Sequence, residues 1–268
     1  MPNVYAVYVQ YGAEHQQSGA ETLENFLHTA FPQKKVETVI VDNALTHETE
    51  FWRRAHLNII SGDNRCREFS GYERGIDWVE RAFALRDEDT LIIANDTFHR
   101  SYGKEYLAWF IPEIVEMALA DGKIVGYMDA YPEETQICGL PLRRWIRTSC
   151  FAARRGVFRR LMPLCFPLPD SEIFSQDYRE FFCASAPLSN NYKQFQRTWL
   201  FGEHTAAGNF REAWHHQAAL TADNWQSFKE KMRCILSEHY FSARAQQAGI
   251  GLLDVKQFRS LAQRLNGS

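Results

Sequence analysis

The chain has 268 residues, 45% of them hydrophobic and 24% charged, with a formal net charge of -3. That is ample for one large domain with a buried core, and the near-neutral balance excludes a general attraction to nucleic acid. The opening MPNVYAVYVQYG lacks a basic region followed by a long apolar run, and no stretch reaches the ~18 apolar residues of a spanning helix, so neither a secretory signal nor a membrane span is expected.

The first predicted element is a strand over Val4–Tyr8, running into the turn signal Tyr11-Gly12. Thr22–Ala30 has helical spacing, with Leu23, Phe26 and Leu27 on one face. Val36–Val41 is a β-branched strand ending at Asp42-Asn43, and Leu57–Ile60 a short strand stopped by Ser61-Gly62. A polar, glycine-bearing segment, GDNRCREFSGYERG, leads into a helix predicted over Ile76–Leu85. Thr90–Ala94 is a continuous apolar run of the kind found at the centre of a parallel sheet, and it stops at Asn95-Asp96. Trp109–Leu119 reads as a helix and Lys123–Met128 as a strand ending at Asp129. The alternation predicts an open α/β sheet, mostly parallel and flanked by helices. Residues 221–265 read as two or three amphipathic helices, giving one domain over 1–220 and a helical extension over 221–268 packed on it.

In an open α/β sheet, ligands bind beyond the carboxyl ends of the strands. The groups just past the predicted strands are Tyr11-Gly12, Asp42-Asn43, Asp63-Asn64, Asn95-Asp96-Thr97 and Asp129, and all but the first carry a carboxylate. Such a row suits a ribose, a base edge, or a metal carrying phosphates. A single acid of this kind is an ordinary turn residue or helix cap. The sequence has no GxxxxGK[ST] loop and no GxGxxG after the first strand, which leaves a mononucleotide held by acids and amides.

These segments together resemble the GT-A glycosyltransferases, in particular the bacterial rhamnosyl- and galactosyltransferase-like enzymes of cell-surface polysaccharide and lipopolysaccharide synthesis. The resemblance covers about residues 4–160. It rests on Val41-Asp42-Asn43, on Asn64, Gly71, Gly75 and Ile76 in the polar segment, on LIIANDT (Leu91–Thr97), and on RTSCFAARRGVF (Arg147–Phe158). It implies a GT-A-like (Rossmann-like) fold and transfer of a sugar from a UDP- or dTDP-sugar to a saccharide or lipid-linked acceptor. By the same resemblance Asp42 contacts the base or ribose, Tyr11 flanks the base, and the segment Arg147–Phe158 feeds the acceptor side; Asn64 and Arg147 are further candidates for the binding set. Asn95-Asp96 take the place of the DXD motif. The sequence has N-D-T there. Asp96 is a hard ligand suited to Mg²⁺ or Mn²⁺. Either His99 supplies a second ligand, or Arg100 replaces the metal's charge. The altered motif also admits a non-catalytic nucleotide-sugar-binding or assembly protein.

An inverting transfer needs a general base for the acceptor hydroxyl. Asp170, Asp177 and Glu180 are candidates, and Asp177 is preferred because the aromatics around it would bury it and raise its pKa. His204 is either a loop histidine that touches the donor diphosphate or a polar surface histidine. His215 and His216 are adjacent and point apart, a poor arrangement for one metal. From Thr135 to Pro169 there is no acid, yet arginine recurs between Arg143 and Arg160 among aromatics, a pattern suited to anionic headgroups or to a solvated face. The 6 cysteines contain no CxxC pair, which fits reduced thiols in a cytosolic protein. The expectation is a cytoplasmic enzyme, peripheral on the inner membrane through Arg143–Arg160, that binds no nucleic acid.

Overall fold

The structure is a computed structural model that describes residues 2–12, 16–45, 52–54, 57–99, 103–203 and 216–266. Its strands are β1 (Val4–Gln10), β2 (Val36–Asp42), β3 (Trp52–Arg54), β4 (Leu57–Ser61), β5 (Thr90–Asn95), β6 (Ile124–Ile137), β7 (Leu140–Arg154) and β8 (Leu252–Asp254). They form one sheet in the order β3-β4-β2-β1-β5-β7-β6-β8. β1 runs parallel to β2 and β5, β2 to β4, and β6 to β8, while β3 and β7 run against their neighbours. The predicted mostly parallel α/β sheet is present.

Every residue of β1 is buried, because both faces of the sheet are covered. Tyr5, Val7 and Val9 point into one apolar layer, with Val39, Val41, Leu91 and Ile93. The helices α2 (Glu68–Ala82), α4 (Arg155–Leu161) and α7 (Trp225–Gln247) close it. Val4, Ala6 and Tyr8 point the other way, against α1 (Gln16–Ala30) and α3 (Pro112–Ala120). The period of two thus divides each central strand between two cores.

α2 begins eight residues before the helix predicted from Ile76, at Glu68. Gly71 and Gly75, which weaken a helical pattern in sequence, are where the helix lies closest to the sheet. A Cβ on Gly75 would stand 2.3 Å from Val7 Cγ1 and 3.1 Å from Val41 Cγ2. Gly75→Ala gains helix propensity of at most ~1 kcal/mol but forces the helix off the strands, an overpacking cost of about 1–3 kcal/mol. The expected result is a lower urea midpoint with an unchanged m-value. A midpoint at or above wild type would mean the contact is not as tight as described.

β6 and β7 form a long hairpin whose turn, Cys138-Gly139, has φ of 52° and 74°, the double left-handed geometry of a two-residue hairpin loop. Only the second half of β7 pairs with β5; the first half pairs with β6 alone and projects past the sheet. There Tyr131 and Trp145 pack with α6 (Asn190–Phe201) and the first half of α7 in a third apolar cluster. The C-terminal part differs from the expected run of helices. α7 packs on β7, then β8 pairs with β6 and completes the sheet, before α8 (Arg259–Asn266). Residues 221–268 therefore supply an edge strand as well as helices.

Several arginines of the stretch Arg143–Arg160 are engaged within the protein. Arg154 is buried and donates to Glu88 O and Thr90 Oγ1, each at 2.7 Å. Arg155 holds Glu80 and Asp87, Arg159 holds Asp87, and Arg160 caps the Ala248 carbonyl. Alternation along β7 sends the remaining side chains to different sides. Among the described residues no helix is long and apolar enough to cross a membrane.

Candidate active site

A cleft of about 1790 Å³ opens at the carboxyl edge of the parallel strands. One side is made by Gln10-Tyr11 after β1, Asn43 after β2, Asn64–Glu68 ahead of α2, and Asn95–Thr97 after β5. The facing side is the projecting hairpin, with Met128–Pro132 and Arg144–Ser149, closed by α6 and α7. Of the residues named from sequence, Tyr11, Asn64, Asn95, Asp96 and Arg147 all line this one cleft.

Their states differ. Tyr11 is 64% exposed, an open ring at the mouth. Asn64 and Arg67 both have positive φ, 50° and 51°, so the segment entering α2 is held in a conformation side chains rarely adopt. Asn95 is buried and fully engaged: Nδ2 donates to Tyr72 Oη at 2.7 Å, and Oδ1 accepts from Thr97 N and Oγ1 at 3.0 and 2.6 Å. It shapes the loop that presents Asp96, whose side chain is only partly buried. Arg147 forms a bidentate pair with Asp129, and its guanidinium lies 4.4 Å from the centre of the Tyr127 ring.

Other residues named from the sequence stand elsewhere. Asp42 does not line the cleft. It is buried, with Oδ1 accepting from Gly12 N and Ala44 N and Oδ2 from Gln10 Nε2, at 2.8, 2.9 and 2.9 Å. Its carboxylate locks the turns after β1 and β2. Asp177 is outside the cleft, its side chain 51% exposed beside Arg179, so the burial expected to activate it is missing. The nearby aromatics, Phe174, Phe181 and Phe182, turn inward without it. His99 is on the opposite face of the sheet, under α1, where its Cε1 would lie 3.4 Å from a Cβ at Gly19 and its ring packs on Phe98. It cannot share a metal with Asp96. His204 and Arg100 lie outside the described residues. Among the described residues no three His, Cys, Asp or Glu side chains converge as a metal cluster would require.

Positive charge reaches the cleft from four directions: Arg65 and Arg67 ahead of α2, Arg144 and Arg147 on β7, Lys231 and Arg233 on α7, and Lys256 after β8. The α7 contribution was missed from sequence, where this helix reads as packing. So was Glu238, a cleft residue whose Oε2 accepts from Thr148 N and Oγ1 at 2.7 and 2.8 Å. The only sequence signal for it is a lone acid inside the apolar period of a helix.

Beside Glu238, His239 is buried among Tyr131, Trp145 and Tyr192, with Nδ1 2.8 Å from Tyr192 Oη. Burial, with the charge of Lys231, lowers its pKa to about 3 from 6.5. The unfolded chain therefore binds a proton that the folded chain refuses between these values. His239 contributes full stability above pH 6.5 and loses it as pH falls toward 3. From pH 6.5 to about pH 5 the loss is roughly 1.5–2 kcal/mol. Denaturant titrations in that interval should show the slope in wild type and a shallower one in His239→Gln; identical slopes would contradict the assignment.

No protein-family model matches the chain, and no curated protein matches it.

Proposed function

We propose that the chain is a glycosyltransferase of GT-A type, transferring a hexosyl or related group from a UDP- or dTDP-sugar to a saccharide or lipid-linked hydroxyl in cell-surface glycan synthesis, with inversion. The observation that carries the reading is the convergence of Tyr11, Asn64, Asp96 and Arg147 on one cleft at the carboxyl edge of a mostly parallel sheet. Ligands of open α/β sheets bind at that edge.

In this reading the nucleoside enters on the Tyr11–Asn43 side, with the exposed Tyr11 ring flanking the base. The diphosphate lies between Asp96 and the segment Asn64–Arg67. As the bond from the anomeric carbon to the diphosphate breaks, negative charge grows on the leaving oxygen, and the guanidinium groups of Arg147, held by Asp129, and of the exposed Arg65 oppose it. Mg²⁺ is commonly held by one or two carboxylates together with substrate phosphates. With His99 turned away, Asp96 is the carboxylate that fits such an ion, which would add Lewis-acid stabilisation of the same charge. The acceptor enters between the hairpin and α6–α7, where Trp199 and Trp145 offer aromatic surface.

Calorimetry with UDP and dTDP, with and without Mn²⁺, tests binding, and release of nucleoside diphosphate from a panel of UDP- and dTDP-hexoses tests turnover. Binding with release is the expected result. Binding without release from any donor would leave a non-catalytic nucleotide-sugar protein, and no binding of either nucleotide would end the reading.

A further inference from the structure

We propose that Glu238, on α7, is the general base that deprotonates the acceptor, a role that rests on the glycosyltransferase reading. Glu238 lies outside the span of the family resemblance, and four observations lead to it.

The first is what the other cleft carboxylates already hold. Asp129 is paired with Arg147, Glu230 with Arg67 and Asp170 with Arg233, Glu68 accepts from the Cys234 thiol, and Asp254 accepts from Met128 N and Lys256 N at the far, β8 edge of the sheet. Asp96 stands on the donor side. Glu238 has no ion pair among the described residues and lines the cleft beside the hairpin wall, where the reading puts the acceptor.

The second is orientation. Both of its hydrogen bonds, from Thr148 N and Oγ1, fall on Oε2, and Oε1 has none among the described residues. One oxygen anchors the group and the other is left to take a proton. That is the geometry a base requires.

The third is connection to the donor loop. The Thr148 carbonyl accepts from Tyr72 Oη at 2.9 Å, and Tyr72 Oη accepts from Asn95 Nδ2 at 2.7 Å. Asn95 in turn holds the loop carrying Asp96. The base and the proposed phosphate site are thus fixed to one buried chain of hydrogen bonds, which sets their separation. Glu238 and Asp96 both act on the Tyr72 hydroxyl, whose pKa is raised well above 10.0 by burial, by Glu68, and by these two charges.

The fourth is basicity. Burial raises the pKa of Glu238, and Asp129 adds to the effect, against the Thr148 bonds and Lys231. A raised carboxyl pKa makes a stronger base.

The acceptor oxygen attacks the anomeric carbon, the bond from that carbon to the diphosphate oxygen breaks, and its electron pair leaves with the nucleoside diphosphate. The acceptor proton passes to Glu238 Oε1 and then to solvent.

The test uses full-length wild type, Glu238→Gln and Glu238→Ala, with the UDP- or dTDP-hexose that wild type turns over fastest. Water is the acceptor, with and without sodium azide, an anionic nucleophile that has no proton to lose. Both variants should bind UDP within about threefold of wild type and release nucleoside diphosphate to water ~10²-fold more slowly. Azide should restore release in Glu238→Ala to within tenfold of wild type. Unchanged release to water in either variant would overturn the role, as would a loss that azide fails to restore in a variant that still binds UDP. If wild type binds a nucleotide and turns over a donor, those outcomes strike Glu238 alone. If it does neither, the role falls with the reading beneath it.

Discussion

Replacing Asp96 with alanine is expected to lower sugar release from the nucleotide donor by ~10³-fold or more while leaving the unfolding midpoint near wild type. Two observations set these magnitudes apart. The Asp96 side chain is only partly buried, and the loop is held by its backbone, with Asp96 N donating to Val9 O at 3.0 Å, and by Asn95. Truncation thus removes little packing. The carboxylate nonetheless stands where the reading puts charge stabilisation of the leaving group, and removing one such group typically costs ~10²–10³-fold, more when an ion is lost with it. Asp96→Asn separates the two cases. It keeps the shape and one oxygen, so a loss nearly as large as in Asp96→Ala, relieved by raised Mn²⁺, points to metal binding. Full activity in Asp96→Ala would remove the donor site from this place.

Asp42→Ala is expected to do the opposite, unfolding the protein more than it slows any chemistry. Its carboxylate satisfies two backbone amides and the Gln10 side chain in a buried setting. Each hydrogen bond to a charged group is worth about 1.5–3 kcal/mol net, and orphaned amides add their own penalty. A loss of about 3–5 kcal/mol is expected from urea unfolding, a large share of the 5–15 kcal/mol stability typical of a domain. Asp42→Asn should recover most of it, because one amide oxygen can accept from Gly12 and Ala44 while Gln10 turns its own oxygen inward. Were Asp42 a base-contacting residue, as its place after β2 suggests from sequence, Asp42→Ala would weaken nucleotide binding with little change in stability.

The contrast between these two acids shows what the sequence could and could not disclose. Strand ends are legible because VETVIV is β-branched and stops at Asp42, and TLIIA is a continuous apolar run that stops at Asn95-Asp96, and parallel pairing puts their ends on one edge. Which acid faces the cleft was not legible, since that depends on how the turn after β1 folds back to meet Asp42. His99 follows Asp96 by three residues yet lies across the sheet, because the turn after β5 carries the chain over the edge. Asp177 was preferred for its aromatic neighbours, but those rings are buried by turning inward and leave the carboxylate outside. The hairpin wall is hidden by Pro141 and by arginines that read as a basic surface, although on β7 Arg147 pairs with Asp129 and Arg154 with Glu116. Glu238 was the hardest to find. Its helix pattern is that of packing, and only the fold brings α7 against Thr148.

The most direct measurement of the central claim is a crystal structure of the chain with UDP or dTDP. The diphosphate should lie in the cleft between Asp96 and the Asn64–Arg67 segment, with the base beside Tyr11. A nucleotide bound elsewhere on the molecule, or seated in the cleft with its phosphates turned away from Asp96, would contradict the account.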